Sequence, residues 1–367
     1  MLQRLYVHNF RCLENFELSL KEISSALLIG KNGTGKSTVA SALEVLQKIG
    51  RGINRVGELV HPKDFSFGRS DAPIRFEIEV LLEEKIYKYT LALELPEKFK
   101  ELRIFEEQLL IEEIPVYSRR EAQVTLASQN RDANFRVDWH LVALPVIQEQ
   151  SHMDPLHIFK TWLKRMIILA PIPALITGES NGETLKLEKN GSNFGEWFSS
   201  LLSHYPAAYT QIDKYLRETI LDIQDFLNEP LGKDSKNMIV RFEANQKTLS
   251  VDFKDLSDGE KCFFLCAVVL AFNKYYGPLF CFWDEPDSYL SLSEVGHFIM
   301  SLRRSFRNGS QILATSHNEE AIRKFSSENT FLLDRKSHLE PTLIRLLSEV
   351  HISGSLIDNL ILGDAEL

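Results

Sequence analysis

The first clear period along the chain is helical. After the apolar segment "SALLIG" and a glycine-rich stretch, Val39, Ala42, Leu43, Leu46 and Ile49 recur three and four residues apart, and Gly50 is placed to stop the helix they predict. From Arg75 to Glu94 the period drops to two. Phe76, Ile78, Val80 and Leu82 alternate with polar residues, "EEK" interrupts, and Tyr87, Tyr89, Leu91 and Leu93 alternate again. That alternation predicts a hairpin with one buried face. Two short strands, "LQRLYVHNF" and "ENFELSL", are predicted at the start of the chain, and "SALLIG" as a third. Residues from about 95 to 150 show no dominant period, and their order is not predicted.

Further on, "PIPALITGESNGE" (171–183) is rich in turn formers and predicts a loop. Phe194, Trp197, Phe198, Leu201 and Leu202 predict one amphipathic helix; Tyr209, Ile212, Leu216, Ile220, Ile223 and Leu227 predict another. Neither is long or heptad-regular enough for a protruding coiled coil. In the final third, "PLFCFW", "QILAT" and "TFLLD" read as strands covered on both faces. Between the first two, Leu292, Val295, Ile299, Leu302 and Phe306 mark a helix that Asn308-Gly309 would end; a short helix follows "QILAT". Strand–helix–strand order implies right-handed crossovers and a parallel sheet. No internal repeat or low-complexity segment interrupts this plan.

Composition narrows the class. A chain of 367 residues with 44% hydrophobic content can bury a sizeable core as one large domain or two smaller ones. The net charge of −9 leaves nucleic-acid binding to local basic patches, for which Arg119 with Arg120, Lys160 with Lys164 and Arg165, and Arg303, Arg304 and Arg307 are candidates. Cys12, Cys262, Cys266 and Cys281 form no C-x-x-C pair, and read as buried small hydrophobes in a reducing compartment. His152 and His157, around Asp154, lack metal-ligand spacing. The N-terminus has no signal-peptide core, and no run approaches the roughly 18 apolar residues of a membrane span. A cytoplasmic protein with no membrane partner is expected.

The chemistry concentrates in four places. "GKNGTGKST", comprising Gly30, Lys31, Asn32, Gly33, Thr34, Gly35, Lys36, Ser37 and Thr38, matches the phosphate-binding loop, with an apolar strand before it and a periodic helix after it. Its glycines let backbone N–H groups curl around phosphate oxygens at a helix N-terminus. Lys36 would reach the β and γ phosphates, and the Ser37 hydroxyl would ligate Mg²⁺. Asp284 and Glu285 end the strand "LFCFW", at the edge where open parallel sheets bind ligands. Asp284 suits the metal side, and Glu285 suits the base that orients an attacking water. His317 ends "QILATSH" one strand further on, where it can contact a γ-phosphate. "LSDGEK" opens an apolar helix, so Ser257 and Gly259 sit at an N-terminus suited to an anion, or to a simple cap.

Together, GKNGTGKST, LSDGEK, FCFWDEP and TSH resemble the ATP-binding-cassette ATPases, and "VHNFRCLENFEL" resembles their RecF, SMC and OLD branch. The resemblance implies an α/β P-loop NTPase head with a mixed or parallel sheet, antiparallel β hairpins and an inserted helical lobe. Lobe I would span approximately 1–150 and 275–367, with helical lobe II at approximately 151–274. It also implies ATP and Mg²⁺ as cofactors, and an ATP-dependent homodimer or higher oligomer in which Ser257 and Gly259 of one copy close on the P-loop of the other. Arg11 would lie near the nucleotide. The same resemblance suggests a regulatory ATPase of bacterial DNA repair or anti-phage defence, controlling a separate effector such as a nuclease; the chain has no recognisable nuclease motif of its own. A transporter's ATP-binding subunit and a non-hydrolysing ATP-bound scaffold are the alternatives. The long interval between Lys36 and Ser257 speaks against the first, Glu285 against the second. The chain departs from the family pattern at Asp258, where transporter signatures carry glycine, and at Leu290-Ser291, where the family has Leu-Asp. Gln148 and Gln150 are the candidates for the Q-loop glutamine.

Overall fold

The computed structural model describes residues 1–127, 133–233 and 235–350. Contacts divide the chain into two units, Met1–Met166 with Ser327–Leu367, and Ile167–Ser326. The second unit contains strands as well as helices.

The first unit begins with β1 (Leu2–His8), β2 (Phe16–Ser19), β3 (Ser25–Ile29), α1 (Lys36–Gly50) and α2 (Val56–Leu59). A meander follows: β4 (Ile74–Leu82), β5 (Lys85–Glu94), β6 (Arg103–Ile111), β7 (Ile114–Arg120), β8 (Gln123–Leu126) and β9 (Ala133–Arg136), then α3 (Pro155–Arg165). These strands form an eight-stranded antiparallel sheet in the order β2-β1-β4-β5-β6-β7-β8-β9. The predicted hairpin is β4–β5, with Phe76 opposite Leu91 and Ile78 opposite Tyr89, all buried. Its turn is Glu83-Glu84, both left-handed (φ 48° and 63°), and Glu112-Glu113 repeats that geometry between β6 and β7. Mirror-image turns of this kind match strand twist and usually use Asn-Gly. The acidic pair hides that signal, which is one reason the 95–150 region resisted ordering.

Helix α1 stops at Gly50, as expected, and the glycine also serves packing. It is the last residue of α1, and a Cβ there would lie 2.4 Å from the Leu163 Cβ of α3. Its bare backbone is what lets the two helices approach. Alongside, the Gln47 side chain donates to the Met166 carbonyl at 2.6 Å.

The meander encloses a buried charged network. Glu107 is fully buried and accepts from Tyr117 Oη (2.8 Å), Tyr89 Oη (3.1 Å) and the Ala143 and Leu144 amides (2.8 and 2.9 Å). The Arg119 guanidinium lies 3.6 Å from it and donates to the Leu141 and Asp138 carbonyls. Burial lowers the Arg119 pKa and raises those of both tyrosines. Arg119 is therefore an internal strut and not part of a nucleic-acid surface. Glu107→Ala should destabilise the protein by about 3–5 kcal/mol, because it strands a buried cation; a urea titration of both proteins measures this.

The second unit comprises β10 (Ile167–Leu169), α4 (Phe194–His204), α5 (Ala208–Thr219), β11 (Ile223–Pro230), β12 (Lys236–Ala244), β13 (Lys247–Asp252), α6 (Asp258–Tyr275), β14 (Phe280–Trp283), α7 (Leu292–Ser305), β15 (Gln311–Thr315) and α8 (Glu319–Arg323). Strands β10, β14 and β15 pair in parallel; β14 and β15 are the predicted runs "PLFCFW" and "QILAT", while the three-residue β10 was not predicted. Helix α6 is buried without interruption from Lys261 to Asn273 and forms the centre of this unit's core. The chain then re-enters the first unit with β16 (Thr330–Asp334), parallel to β3, and β17 (Leu343–Leu346), antiparallel to β16.

One predicted helix is wrong in its second half. The stripe from Tyr209 to Leu227 breaks at Thr219, and Ile223 and Leu227 lie on β11. A bulge between Ile223 and Asp225 places the inward residues Ile223 and Phe226 three apart, which imitates helical spacing.

All four cysteines are buried and free. Burial pushes the Cys262 thiol up to about 12, and Cys266 and Cys281 higher still. Alkylation by iodoacetamide at pH 8 should therefore leave these three unlabelled in the native protein and label them in urea, as intact-mass measurement would show. Among the described residues, no helix is long and apolar enough to cross a membrane.

Candidate nucleotide site

The first unit carries the phosphate loop. Strand β3 is buried at every position and delivers the chain to Gly30, whose φ is 151°. A Cβ on Gly30 would stand 2.3 Å from the Leu333 carbonyl of β16, so only glycine fits there. Gly33 and Gly35 also have positive φ (83° and 101°), and Gly35 caps α1 with no side chain over the helix end. The first turn of α1 holds no acidic residue, so its N-terminal potential is unopposed within the helix. Lys36 curls beneath the loop, its Nζ donating to the Gly30 and Lys31 carbonyls at 2.8 and 3.1 Å. Ser37 is exposed.

The Asn-Phe-Arg segment is built for three separate tasks. The Asn9 amide donates to the Ala72 and Arg69 carbonyls, and Phe10 packs edge-on against Phe76. Arg11 turns outward at φ 55°, held by Asp64 Oδ1 at 3.0 Å, and donates to Ser41 Oγ at 2.9 Å. Ser41 Oγ in turn donates to the Ser37 carbonyl, which places Arg11 beside the first turns of the P-loop helix.

Sequence reasoning missed the segment between β16 and β17. Thr342 donates from Oγ1 to the Thr34 carbonyl (2.8 Å) and from its amide to the Cys12 carbonyl (2.9 Å). Arg335 Nη1 reaches the Gly33 carbonyl at 3.4 Å. A Cβ on Gly35 would meet Thr342 Oγ1 at 2.7 Å and Cys12 Sγ at 2.9 Å. The loop is thus braced from outside by a polar segment that carries no motif, and nothing in its sequence announces that role.

The second unit carries the carboxylates. Trp283 ends β14, and Asp284 follows with its amide on the Leu169 carbonyl at 2.7 Å. Thr315, buried at the end of β15, donates to Asp284 Oδ1 (2.6 Å) and accepts from the Glu285 amide (2.9 Å). This fixes Glu285 in a left-handed conformation (φ 47°). Its carboxylate accepts from Ser288 Oγ at 2.9 Å and faces His317 Nε2 at 3.5 Å. Both side chains are a little under half exposed, so solvent reaches the pair. The structure therefore brings Asp284, Glu285 and His317 together. Thr315, whose hydroxyl sets the geometry, was not singled out from sequence, although its place two residues before His317 was the available signal.

Ser257 and Gly259 lie at the N-terminus of α6. Ser257 caps it in a box with Glu260: the hydroxyl accepts from the Glu260 amide at 3.3 Å, and Glu260 Oε2 accepts from the Ser257 amide at 2.8 Å. Asp258 stands in the first turn, where its charge suits the helix dipole. A Cβ on Gly259 would meet the Tyr289 carbonyl at 3.1 Å, so this helix tip packs on the turn that follows Glu285. Gln148 and Gln150 are both exposed.

In each of the other two basic patches one member is engaged within the fold. Lys160 donates to the Ile147 carbonyl at 2.7 Å and pairs with Glu149 at 3.1 Å. Arg303 bonds the Lys324 carbonyl and stacks over Phe325, and burial lowers its pKa. Arg304 and Arg307 remain exposed.

Residues 1–260 match the AAA ATPase domain family. The chain belongs to that family. Among solved structures, this AAA ATPase superposes on the SMC head bound to the C-winged helix domain of ScpA with a TM-score of 0.59, at 13% identity, over 95% of this chain and 99% of that one. The SMC head with an extended coiled coil, bound to the C-terminal domain of ScpA derived from Pyrococcus furiosus, gives a TM-score of 0.54 at 12% identity, covering 99% and 98%. These likenesses establish the fold: an α/β ATPase head of the SMC kind with mixed strands. The OLD nuclease of Thermus scotoductus is 44% identical over 46 residues, a match that spans 12% of this AAA ATPase and 8% of the nuclease.

Proposed function

We propose that residues 1–367 form one two-lobed ATPase head in the cytoplasm that binds ATP with Mg²⁺, dimerises around it, and hydrolyses it to ADP and phosphate. The observation that carries this reading is the Glu285–His317 pair: an open carboxylate whose backbone is pinned by Thr315, 3.5 Å from an imidazole. Lys36, now resting on the Gly30 and Lys31 carbonyls, would move to the phosphates while the loop amides hold their oxygens. Ser37 and Asp284 are the oxygen ligands that would hold Mg²⁺, which neutralises charge on the phosphoryl oxygens. The Gly35 cradle, which any Cβ would fill, and these hard oxygen donors suit that pair of ligands. Glu285 orients a water and takes its proton as the oxygen attacks the γ-phosphorus. The bond to the bridging oxygen breaks, ADP leaves with that electron pair, and phosphate is released. His317 would hold the γ-phosphate oxygens through that step, and Arg11 would lie close to the bound nucleotide.

Ser257 and Gly259 would reach the nucleotide of a second copy. Tyr289, whose carbonyl lies beside the tip of α6, is an exposed apolar group, as are Ile172, Leu175 and Leu292 of the same unit. With ATP, the face at that tip would be covered by the partner. The role is read as regulation of a separate effector such as a nuclease in DNA repair or anti-phage defence; the short match to an OLD nuclease supports it. Nucleic acid would bind through exposed arginines such as Arg304 and Arg307. Light scattering on Glu285→Gln with ATP and Mg²⁺ tests the central claim: a dimer is expected, and a strict monomer at all concentrations would sink it.

A further inference from the structure

Asp287 is a buried carboxyl for which the hydrolytic reading has no use. It is 4% exposed, and burial raises its pKa. Oδ2 accepts from Ser316 Oγ at 2.8 Å, while Oδ1 has no hydrogen-bond partner among the described residues. A half-satisfied buried carboxyl costs stability, and a methyl group would fill much of the same space. The turn from Glu285 to Leu290 does not need it, because the Leu290 amide bonds the Asp287 main-chain carbonyl.

What the side chain joins is more telling. Ser316 stands between Thr315, which holds Asp284 and the Glu285 amide, and His317, which faces Glu285. Ser316 Oγ also accepts from the Asn318 amide at 2.9 Å, and Asn318 caps α8. On the other side, the Asp287 turn continues into Tyr289, whose carbonyl abuts Gly259 at the tip of α6. We propose that Asp287, through Ser316, is a positioning residue that ties the α6 tip to His317, so that docking of that tip sets the imidazole relative to Glu285. The proposal rests on the hydrolytic reading of Glu285 and His317. It supplies a link between a second copy's nucleotide, at the α6 tip, and the hydrolytic pair in the same chain.

The test uses Asp287→Ala, Asp287→Asn and Ser316→Ala in the full chain, with ATP affinity, phosphate release and the side-chain NMR signals of His317, assigned through His317→Gln. Asparagine still accepts from Ser316, whereas alanine cuts the link. Expected are a kcat lower by roughly tenfold to a hundredfold for Asp287→Ala and Ser316→Ala, an ATP affinity within about twofold, and recovery of most activity in Asp287→Asn. His317 signals should move in the two alanine variants and stay in the asparagine one. Wild-type kcat and an unmoved His317 in both alanine variants would overturn the link, as would an asparagine variant as impaired as alanine. If Asp287→Ala does not fold, Ser316→Ala cuts the same bond from its other end. Equal, negligible phosphate release from wild type and Glu285→Gln would instead refute the hydrolytic reading, and the His317 signals then decide the link by themselves.

Discussion

Glu285→Gln is expected to bind ATP as tightly as the wild type and to release phosphate slower by roughly a hundredfold or more, the range over which a positioned general base contributes. The substitution keeps the shape and the acceptor for Ser288 Oγ, and removes only the ability to take a proton. Because Thr315 holds the backbone amide of residue 285 whatever its side chain, the local geometry should survive. Phosphate release in single turnover, beside filter binding of labelled ATP, separates the two effects. Equal, negligible release by both proteins would place the chain in the non-hydrolysing scaffold class, and equal but substantial release would remove Glu285 from the role of base.

A mixing experiment addresses the shared site. Lys36→Ala should abolish tight ATP binding, since its ammonium is held on the Gly30 and Lys31 carbonyls of the loop, ready to move to the phosphates. Ser257→Arg should leave ATP binding intact and abolish turnover, by placing a bulky cation at the exposed tip of α6. Each variant alone should be inactive. Mixed in equal amounts, half of the dimers carry one intact Lys36 opposite one intact Ser257. Activity should then recover to about a quarter of the wild type, the statistical share of whole sites in random two-fold pairs. A mixture as inactive as its parts would mean that each chain completes its own site, or that both sites must be whole.

Legibility in the sequence followed how local each determinant is. The P-loop was readable because strand, glycines and helix are contiguous, and glycine is demanded by positive φ and by the Leu333 carbonyl against Gly30. Asp284, Glu285 and His317 could be singled out because each follows closely on a short, wholly buried strand. Their orienting partner Thr315 was not, since a threonine in a buried strand looks like any β-branched core residue. Part of the meander beyond Glu94 was obscured by the acidic pair Glu112-Glu113 in its β6–β7 turn, and β11 by a bulge that mimics helical spacing. Arg119 looked like surface charge, because its partner Glu107 is a neighbour across strands and not along the chain. The Thr342 brace lies some three hundred positions from the loop it supports, beyond any local pattern.

That brace carries a consequence for how the protein is made. A ribosome finishes β3 and α1 within the first fifty residues, yet strand β16 beside β3 and the hydroxyl that braces Thr34 emerge only with residues 330–342. Pairings so distant in sequence close late. A nascent or truncated chain that stops short of Thr330 would lack β16 beside β3 as well as the hydroxyl that braces Thr34, so competence for nucleotide is withheld until the chain has grown past both.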